Sequence, residues 1–171
     1  FLLLVPFYFQ LDETYRPEIL RASKEMNSYI LFGSPAYKRD GEEVRYYNSA
    51  FMVSPDMNLV GRYDKMHLVP FGEYVPLKRL LFFVDKMAEG IGDFSIGDGI
   101  KTLKMGKAEI GTLICYEGIF PNLSRQSVKG GANLFVNITN DAWFGHTSAP
   151  YQHLSIYSLR AVENRVQVVR A

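Results

Sequence analysis

The feature that most constrains the fold is the alternation of strand and helix patterns in the second half of the chain. Apolar strand patterns over 108–114, 133–139 and 166–169 alternate with helical patterns over 121–128 and 149–164. Two strands joined by a helix form a βαβ crossover, in which the strands are parallel and the helix covers the sheet. This half therefore predicts a sheet with helices packed on it.

The first half predicts antiparallel pairing, which makes the expected architecture a mixed one. A helix is expected over 14–26, with Thr14 as its cap. Three apolar runs predict strands: 29–33, 46–53 and 59–63. The polar stretch 38–43 predicts a turn, and 54–58 predicts a hairpin connection. The whole pattern is typical of the α/β class with mixed sheets.

The length of 171 residues predicts a single domain over 1–171, or a piece of one. The opening run 1–9 is apolar but lacks the basic start and the small-residue cleavage site of a signal peptide, so it is interpreted as a cut edge. The closing run 165–171 resembles a strand that has just begun. We therefore expect a fragment that is incomplete at both ends.

Composition and charge exclude several classes of function. A net charge of +1 provides no strong attraction to nucleic acid. A single cysteine excludes an internal disulfide framework and a multi-cysteine zinc site. The histidines His67, His146 and His153 lack metal-ligand spacing, so neither a metal nor another cofactor is expected. No apolar stretch of the sequence reaches the roughly 18 residues that span a bilayer.

Cys115 is the first candidate for chemistry because it follows the apolar run 110–114 and precedes a predicted helix. At such a place backbone N–H groups and a nearby cation lower the pKa of a thiol and make it a nucleophile. The alternative is a buried structural cysteine, the commonest state of a free thiol. Position alone does not separate the two interpretations.

Lys65 is the best candidate for the cation, since it also follows a predicted strand. It would stabilise a thiolate and later the oxyanion of a tetrahedral intermediate. Glu73 and Glu117 are the carboxylates available for proton transfer. Each of these residues alone is more often a solvated or salt-bridged surface group. A pairing of Cys115 with His67 is a further alternative.

Two motifs resemble the carbon–nitrogen hydrolase (nitrilase) superfamily, whose signature is a Glu–Lys–Cys triad. Lys65 stands in the segment YDKMHL at 63–68, and Cys115 stands in GTLICYE at 111–117. Longer matches resemble the apolipoprotein N-acyltransferase branch of that superfamily. They are HLVPFGEYVP at 67–76, NDAWFG at 140–145, and RAVEN at 160–164 running to 170. The second of these is continued by Ser148, Pro150, Gln152 and His153.

The resemblance implies a nitrilase-like αββα sandwich and acyl transfer through a thioester. Cys115 is expected to attack the ester carbonyl of a phospholipid acyl donor. The acceptor is expected to be the amino group of the diacylglyceryl-cysteine that begins a bacterial apolipoprotein. By motif, Lys65 and Glu73 are catalytic. The residues expected to bind substrate are Tyr116, Glu117, Trp143 and Phe144, with the Tyr116 N–H joining Lys65 at the oxyanion.

The same resemblance implies parts that the chain does not contain. The general-base glutamate is expected in a Trp-Pro-Glu type motif just before Pro6, where the chain reads FLLLV without a carboxylate. An eight-helix membrane region is expected before the domain, and closing strands after Ala171. The implied location is the bacterial inner membrane, with the domain facing the periplasm. The missing base leaves the activity of this chain open.

The apolar segment 77–87, with Phe82 and Phe83, is expected to meet the membrane surface, or alternatively to pack on the core as a short helix. Trp143 and Phe144 are expected near the mouth of the site. Two other functions remain open. One is a soluble carbon–nitrogen hydrolase with water as acceptor, and the other is an inactive nitrilase-like interaction module.

Overall fold

The computed structural model describes residues 2–70, 72–74 and 94–171 of the chain. In the first half these residues form β1 (Leu2–Leu4), α1 (Tyr15–Glu25), β2 (Ile30–Asp40), β3 (Glu43–Val53) and β4 (Leu59–Asp64). In the second half they form β5 (Thr102–Met105), β6 (Ala108–Ile114), α2 (Pro121–Lys129), β7 (Leu134–Ile138), α3 (Ala149–Asn164) and β8 (Gln167–Arg170). Short 3₁₀ helices span Cys115–Ile119 and Asp141–Phe144.

Within the described part of the chain, the strands form two four-stranded mixed sheets. The first has the order β1-β2-β3-β4, with β1 parallel to β2 and the other pairs antiparallel. The second has the order β5-β6-β7-β8, with β5 antiparallel to β6 and the other pairs parallel. The parallel pairs in the second sheet are those that the strand–helix alternation predicted, because α2 and α3 provide the crossovers.

The two sheets pack face to face, and the helices cover their outer faces. Strand alternation explains this arrangement, since successive side chains point to opposite faces. On β3, Ala50 and Met52 belong to the core between the sheets, whereas Phe51 and Val53 belong to the outer core with Ile19 of α1. A third cluster joins Tyr157 of α3 to the outer face of the second sheet. The expected αββα sandwich is confirmed.

Several sequence predictions differ from the structure in detail. The polar stretch 38–43 is mostly strand, because β2 and β3 pair down to Asp40 and Glu43 and leave a two-residue turn with Gly41 at φ +60°. Its polar side chains are exposed where the hairpin extends past the core. Thr14 does not cap α1 with its side chain. Instead, Oδ1 of Asp12 accepts the first backbone N–H groups.

Two strands were not predicted from the sequence. One is β1, which lies in the run interpreted as a cut edge, and the other is β5, whose four residues pair with β6. The expectation for 77–87, including Phe82 and Phe83, lies outside the described residues. Among the described residues, no helix is both long enough and apolar enough to cross a membrane.

Candidate active site

A cavity of about 450 Å³ opens where the loops after β4, β6 and β7 meet. Parallel strands such as β6 and β7 end at the same sheet edge, which is where sites gather in α/β folds. The lining residues are Asn48, Lys65, Val69, Gly72, Glu73, Phe94, Cys115, Tyr116, Asn140 and Phe144. The structure thus brings five residues selected from the sequence to one cavity: Lys65, Glu73, Cys115, Tyr116 and Phe144.

Lys65 and Glu73 form the charged side of this cavity. Lys65 is 1% exposed, and its Nζ donates to Oε1 and Oε2 of Glu73, both at 2.8 Å. The Glu73 carboxylate also accepts from Nδ2 of Asn48 at 2.6 Å and from the backbone N–H of Val69 at 2.8 Å. These contacts compensate the desolvation of the two charges and hold the ammonium group in place.

Cys115 begins the 3₁₀ helix that follows β6, and it is partly exposed. Its backbone adopts φ +51°, a conformation that is unfavourable for a residue with a side chain. Three side chains hydrogen-bond to its carbonyl oxygen: His153 through Nε2, Asn137 through Nδ2, and Tyr157 through its hydroxyl. The surrounding structure therefore holds the cysteine in a sharp strand-to-helix turn at the cavity edge.

Glu117 is not among the described residues that line the cavity. It is fully buried. Its Oε1 accepts from the hydroxyl of Tyr63 at 2.9 Å and from the backbone N–H groups of Met66 and His67 at 2.7 and 3.1 Å. Its Oε2 accepts from the backbone N–H of Ile114 at 2.8 Å. Glu117 thereby ties the segment after Lys65 to the segment that carries Cys115, in contrast to the expected contact with substrate.

Burial dominates the electrostatics around Glu117. It raises the pKa of this carboxyl group, and hydrogen bonds from Ile114, Met66 and Tyr63 together with the charge of Lys65 oppose the rise. Burial, followed by the charge of Glu117, also raises the pKa of Tyr63. Tyr63 therefore stays protonated and acts as a hydrogen-bond donor to the carboxylate.

The other residues considered from the sequence either lie away from the described cavity lining or lie outside the described structure. The ring of His67 packs on that of Phe120, with 3.6 Å between centroids, and His67 is not among the described residues that line the cavity. The Trp143 side chain and the residues Phe82 and Phe83 lie outside what the structure describes. Within the described ranges, no group of three or more His, Cys, Asp or Glu side chains is arranged to hold a metal.

Sequence reasoning missed the polar residues that support the site. Asn48 lies within a strand of otherwise ordinary pattern, and Asn137 lies within an apolar strand; a polar residue in a buried strand was the available signal. Asp141 and His153 both belong to the matched motif, but the sequence assigned neither a catalytic nor a supporting role. Arg170 completes the group, since its Nε donates to Oδ1 of Asn137 at 3.1 Å.

Comparison with solved structures supports the fold. The carbon–nitrogen hydrolase from Helicobacter pylori G27 superposes with a TM-score of 0.66 at 16% identity, over 99% of this chain and 60% of that chain. An amidase from Nesterenkonia sp. superposes with a TM-score of 0.64 at 22% identity, over 99% of this chain and 62% of that chain. At these identities the likeness concerns the fold alone, which is nitrilase-like.

Comparison with known sequences gives the family. The apolipoprotein N-acyltransferase of Geobacter metallireducens is 57% identical over 166 residues, which are 97% of this chain and 32% of that protein. The protein of the same name from Rickettsia prowazekii is 39% identical over 155 residues, 90% of this chain and 31% of that protein. The chain thus spans about a third of the length of these relatives. Since the carbon–nitrogen hydrolase profile matches residues 8–171, a range that includes every residue lining the cavity, the chain belongs to the carbon–nitrogen hydrolase family.

Proposed function

We propose that this chain is the catalytic domain of an apolipoprotein N-acyltransferase, which moves an acyl chain from a phospholipid to the N-terminal diacylglyceryl-cysteine of a lipoprotein. The observation that carries the proposal is the cavity in which Cys115 and the Lys65–Glu73 pair share one surface with apolar side chains. The 57% identical relative of that name supports acyl transfer to an apolipoprotein, and the phospholipid donor is what the family resemblance implies.

In the first step, Cys115 takes the acyl group. The thiol gives its proton to a carboxylate base, and the sulfur attacks the ester carbonyl carbon of the phospholipid. The resulting oxyanion is stabilised by the Lys65 ammonium and by the backbone N–H of Tyr116. The C–O bond of the ester then breaks, the lysophospholipid oxygen takes the proton from the base, and the acyl group stays on Cys115 as a thioester.

In the second step, the amino group of the lipoprotein attacks the thioester carbon. A C–N bond forms, the C–S bond breaks, and the amine proton returns through the base to the Cys115 thiolate. Lys65 serves the second oxyanion as it served the first. The family resemblance implies that the general base is a glutamate ahead of Pro6. Glu73 is also a carboxylate at the cavity, but both of its oxygens already accept hydrogen bonds from Lys65.

The apolar part of the cavity suits an acyl chain. Val69, Phe94 and Phe144 line it beside the candidate nucleophile. Each CH₂ group removed from water contributes about 0.8 kcal/mol, so a few methylene contacts suffice to hold a donor. The proposed location is the periplasmic face of the bacterial inner membrane, where such a donor is available.

The test is the formation of an acyl-thioester on Cys115. Full-length protein is incubated with a phospholipid and no acceptor, and the mass of the peptide containing Cys115 is measured. We expect the mass of one acyl chain on the wild-type protein and none on a Cys115→Ala variant that keeps its melting transition. Hydroxylamine should remove the adduct, as it does from thioesters.

A second measurement separates acyl transfer from hydrolysis. A synthetic peptide that begins with diacylglyceryl-cysteine is added to the acylated protein, and the products are identified by mass spectrometry. An N-acylated peptide supports the transferase. A free fatty acid as the main product in the presence of the peptide supports the hydrolase alternative, and an adduct that persists on Cys115→Ala removes this cysteine from the role.

A further inference from the structure

The carbonyl oxygen of Cys115 is the meeting point of three buried side chains. It accepts from Nε2 of His153 at 3.1 Å, from Nδ2 of Asn137 at 3.3 Å and from the hydroxyl of Tyr157 at 2.8 Å. All three donors are buried and lie outside the cavity lining. A carbonyl oxygen has two lone pairs, and three donors occupy them more fully than one donor would. The three donors therefore restrict rotation of the carbonyl group.

The direction of this carbonyl also determines that of the next N–H group. A peptide group is planar, and the bond between Cys115 and Tyr116 is trans. The Tyr116 N–H therefore points opposite to the Cys115 carbonyl. None of the three donors lines the cavity, whereas Cys115 and Tyr116 do, so this arrangement favours an N–H directed toward the cavity.

His153 is itself held in place. Its Nδ1 lies 3.1 Å from Oδ1 of Asp141 and 3.1 Å from Nη2 of Arg170, and Arg170 forms a close ion pair with Asp141. Because the Cys115 carbonyl oxygen can only accept, the neutral ring that fits this geometry carries its proton on Nε2 and accepts from Arg170 at Nδ1, while a protonated ring donates to Asp141 at Nδ1. In either state Nε2 carries a proton, which is the requirement for donation to the Cys115 carbonyl.

We propose that His153, oriented by Asp141 and Arg170, is a positioning residue for acyl transfer. It holds the Cys115–Tyr116 peptide so that the Tyr116 N–H can donate to the oxyanion formed at the cavity. The positive φ of Cys115 makes this support necessary, because an unsupported peptide can relax toward a more favourable conformation. The inference rests on the proposed function, in which Cys115 is the nucleophile.

Two reagents separate this role from general support of the fold. Acylation of Cys115 by p-nitrophenyl butyrate passes through an oxyanion, so its rate depends on the Tyr116 N–H. Alkylation of the same thiol by iodoacetamide forms no oxyanion, so its rate reports on the thiolate and its access alone. Both rates are measured on the full-length protein, together with the KM for the ester.

Three variants carry the test. His153→Leu removes the donor, and His153→Gln places an amide N–H near the position of Nε2. Asn164→Ala is the matched control: it removes a hydrogen bond from the same helix, to the carbonyl of Arg160. Its position is 11 residues beyond His153, a rise of about 16 Å along an α-helix.

We expect His153→Leu to slow acylation by about tenfold to a hundredfold. This loss should not exceed the one caused by removing an oxyanion donor completely. Alkylation and KM should stay within about threefold of the wild type, and His153→Gln should recover most of the acylation rate. Asn164→Ala should leave both rates unchanged. If His153→Leu does not fold, Tyr157→Phe removes another donor to the same carbonyl and should give the same selective loss.

Parallel losses of acylation and alkylation would overturn the proposal, as would equal rates for the Leu and Gln variants. Failure of the proposed function is a separate result. If the ester acylates Cys115 and the phospholipid does not, the substrate is wrong while the role of His153 is still measured. If neither p-nitrophenyl butyrate nor the phospholipid acylates Cys115 in the wild type, both the nucleophile and the positioning role are wrong.

Discussion

Both carboxylate oxygens of Glu73 lie 2.8 Å from the Nζ atom of Lys65, which makes the two side chains a bidentate ion pair. Eight positions separate the two residues in the sequence. The lysine is almost completely buried, and in the described structure its ion-pair partner is the Glu73 carboxylate. A buried ammonium group of this kind is costly to leave without compensation.

The first prediction concerns the stability of this pair. Glu73→Gln keeps the size of the side chain but leaves Lys65 with a neutral partner, so the free energy of unfolding should fall by about 3 kcal/mol. The matched control is Asp98→Asn, which breaks an ion pair with Lys38 whose side chains are 55% and 53% exposed. That change should cost less than about 1 kcal/mol. Equal costs in urea unfolding would show that Lys65 does not depend on Glu73.

The second prediction concerns the charge of Lys65 in the reaction. Lys65→Met keeps the length and the apolar stem of the side chain but removes the cation at the cavity. Acylation of Cys115 should slow by about two to three orders of magnitude, the cost of losing one oxyanion contact. Single-turnover acylation with a phospholipid measures this. A loss of less than tenfold, in a variant that remains folded, would contradict the assignment.

The third prediction concerns the pH dependence of stability at Asp141. Partial burial acts to raise the pKa of this carboxyl group, but hydrogen bonds from Arg170, His153 and Thr139 outweigh burial and hold it below the ordinary value of 3.8. A lowered pKa in the folded state means that the stabilisation is present above that ordinary value and is lost as the pH falls through the lowered one.

Asp141→Asn should therefore lower the melting temperature near neutral pH, and the difference from the wild type should shrink in acid. Melting curves of both proteins between about pH 3 and pH 7 measure this difference directly. Because the comparison is made at each pH, contributions from other carboxyl groups cancel. A difference that stays constant with pH would show that Asp141 contributes through packing and not through its charge.

The fourth prediction concerns the apolar wall. Phe144 lines the cavity, so Phe144→Ala should raise the KM for a long-chain acyl donor by about tenfold, the effect of losing part of a buried aromatic contact. The rate at saturation should change less. Tyr151→Ala is the matched control, because this nearby aromatic residue at the start of α3 is 75% exposed. An equal effect of both changes would indicate that the donor does not use the wall at Phe144.

Local pattern was sufficient for the elements near the site. The strand 108–114 and the helix 149–164 agree with the structure at both ends, because apolar spacing and the residues that break it are properties of short segments. The same pattern located Cys115 at the end of a strand, and the matching motifs were sufficient to select Lys65 and Glu73.

Contacts between distant segments depended on packing. The hydrogen bonds from Met66 and His67 to Glu117 join residues that are 51 and 50 positions apart, and no spacing rule relates them. The burial of Glu117 followed from closure of the two sheets around it. Strand β5, only four residues long, became recognisable through its pairing with β6.

The support behind Cys115 depended on packing most of all. His153, Asn137 and Tyr157 come from a helix and a strand, and they meet at one carbonyl oxygen only because α3 covers the second sheet. A sequence motif indicates which side chains a site contains. The directions of those side chains, and hence which of them contact a substrate and which hold the backbone, arise when the layers close together.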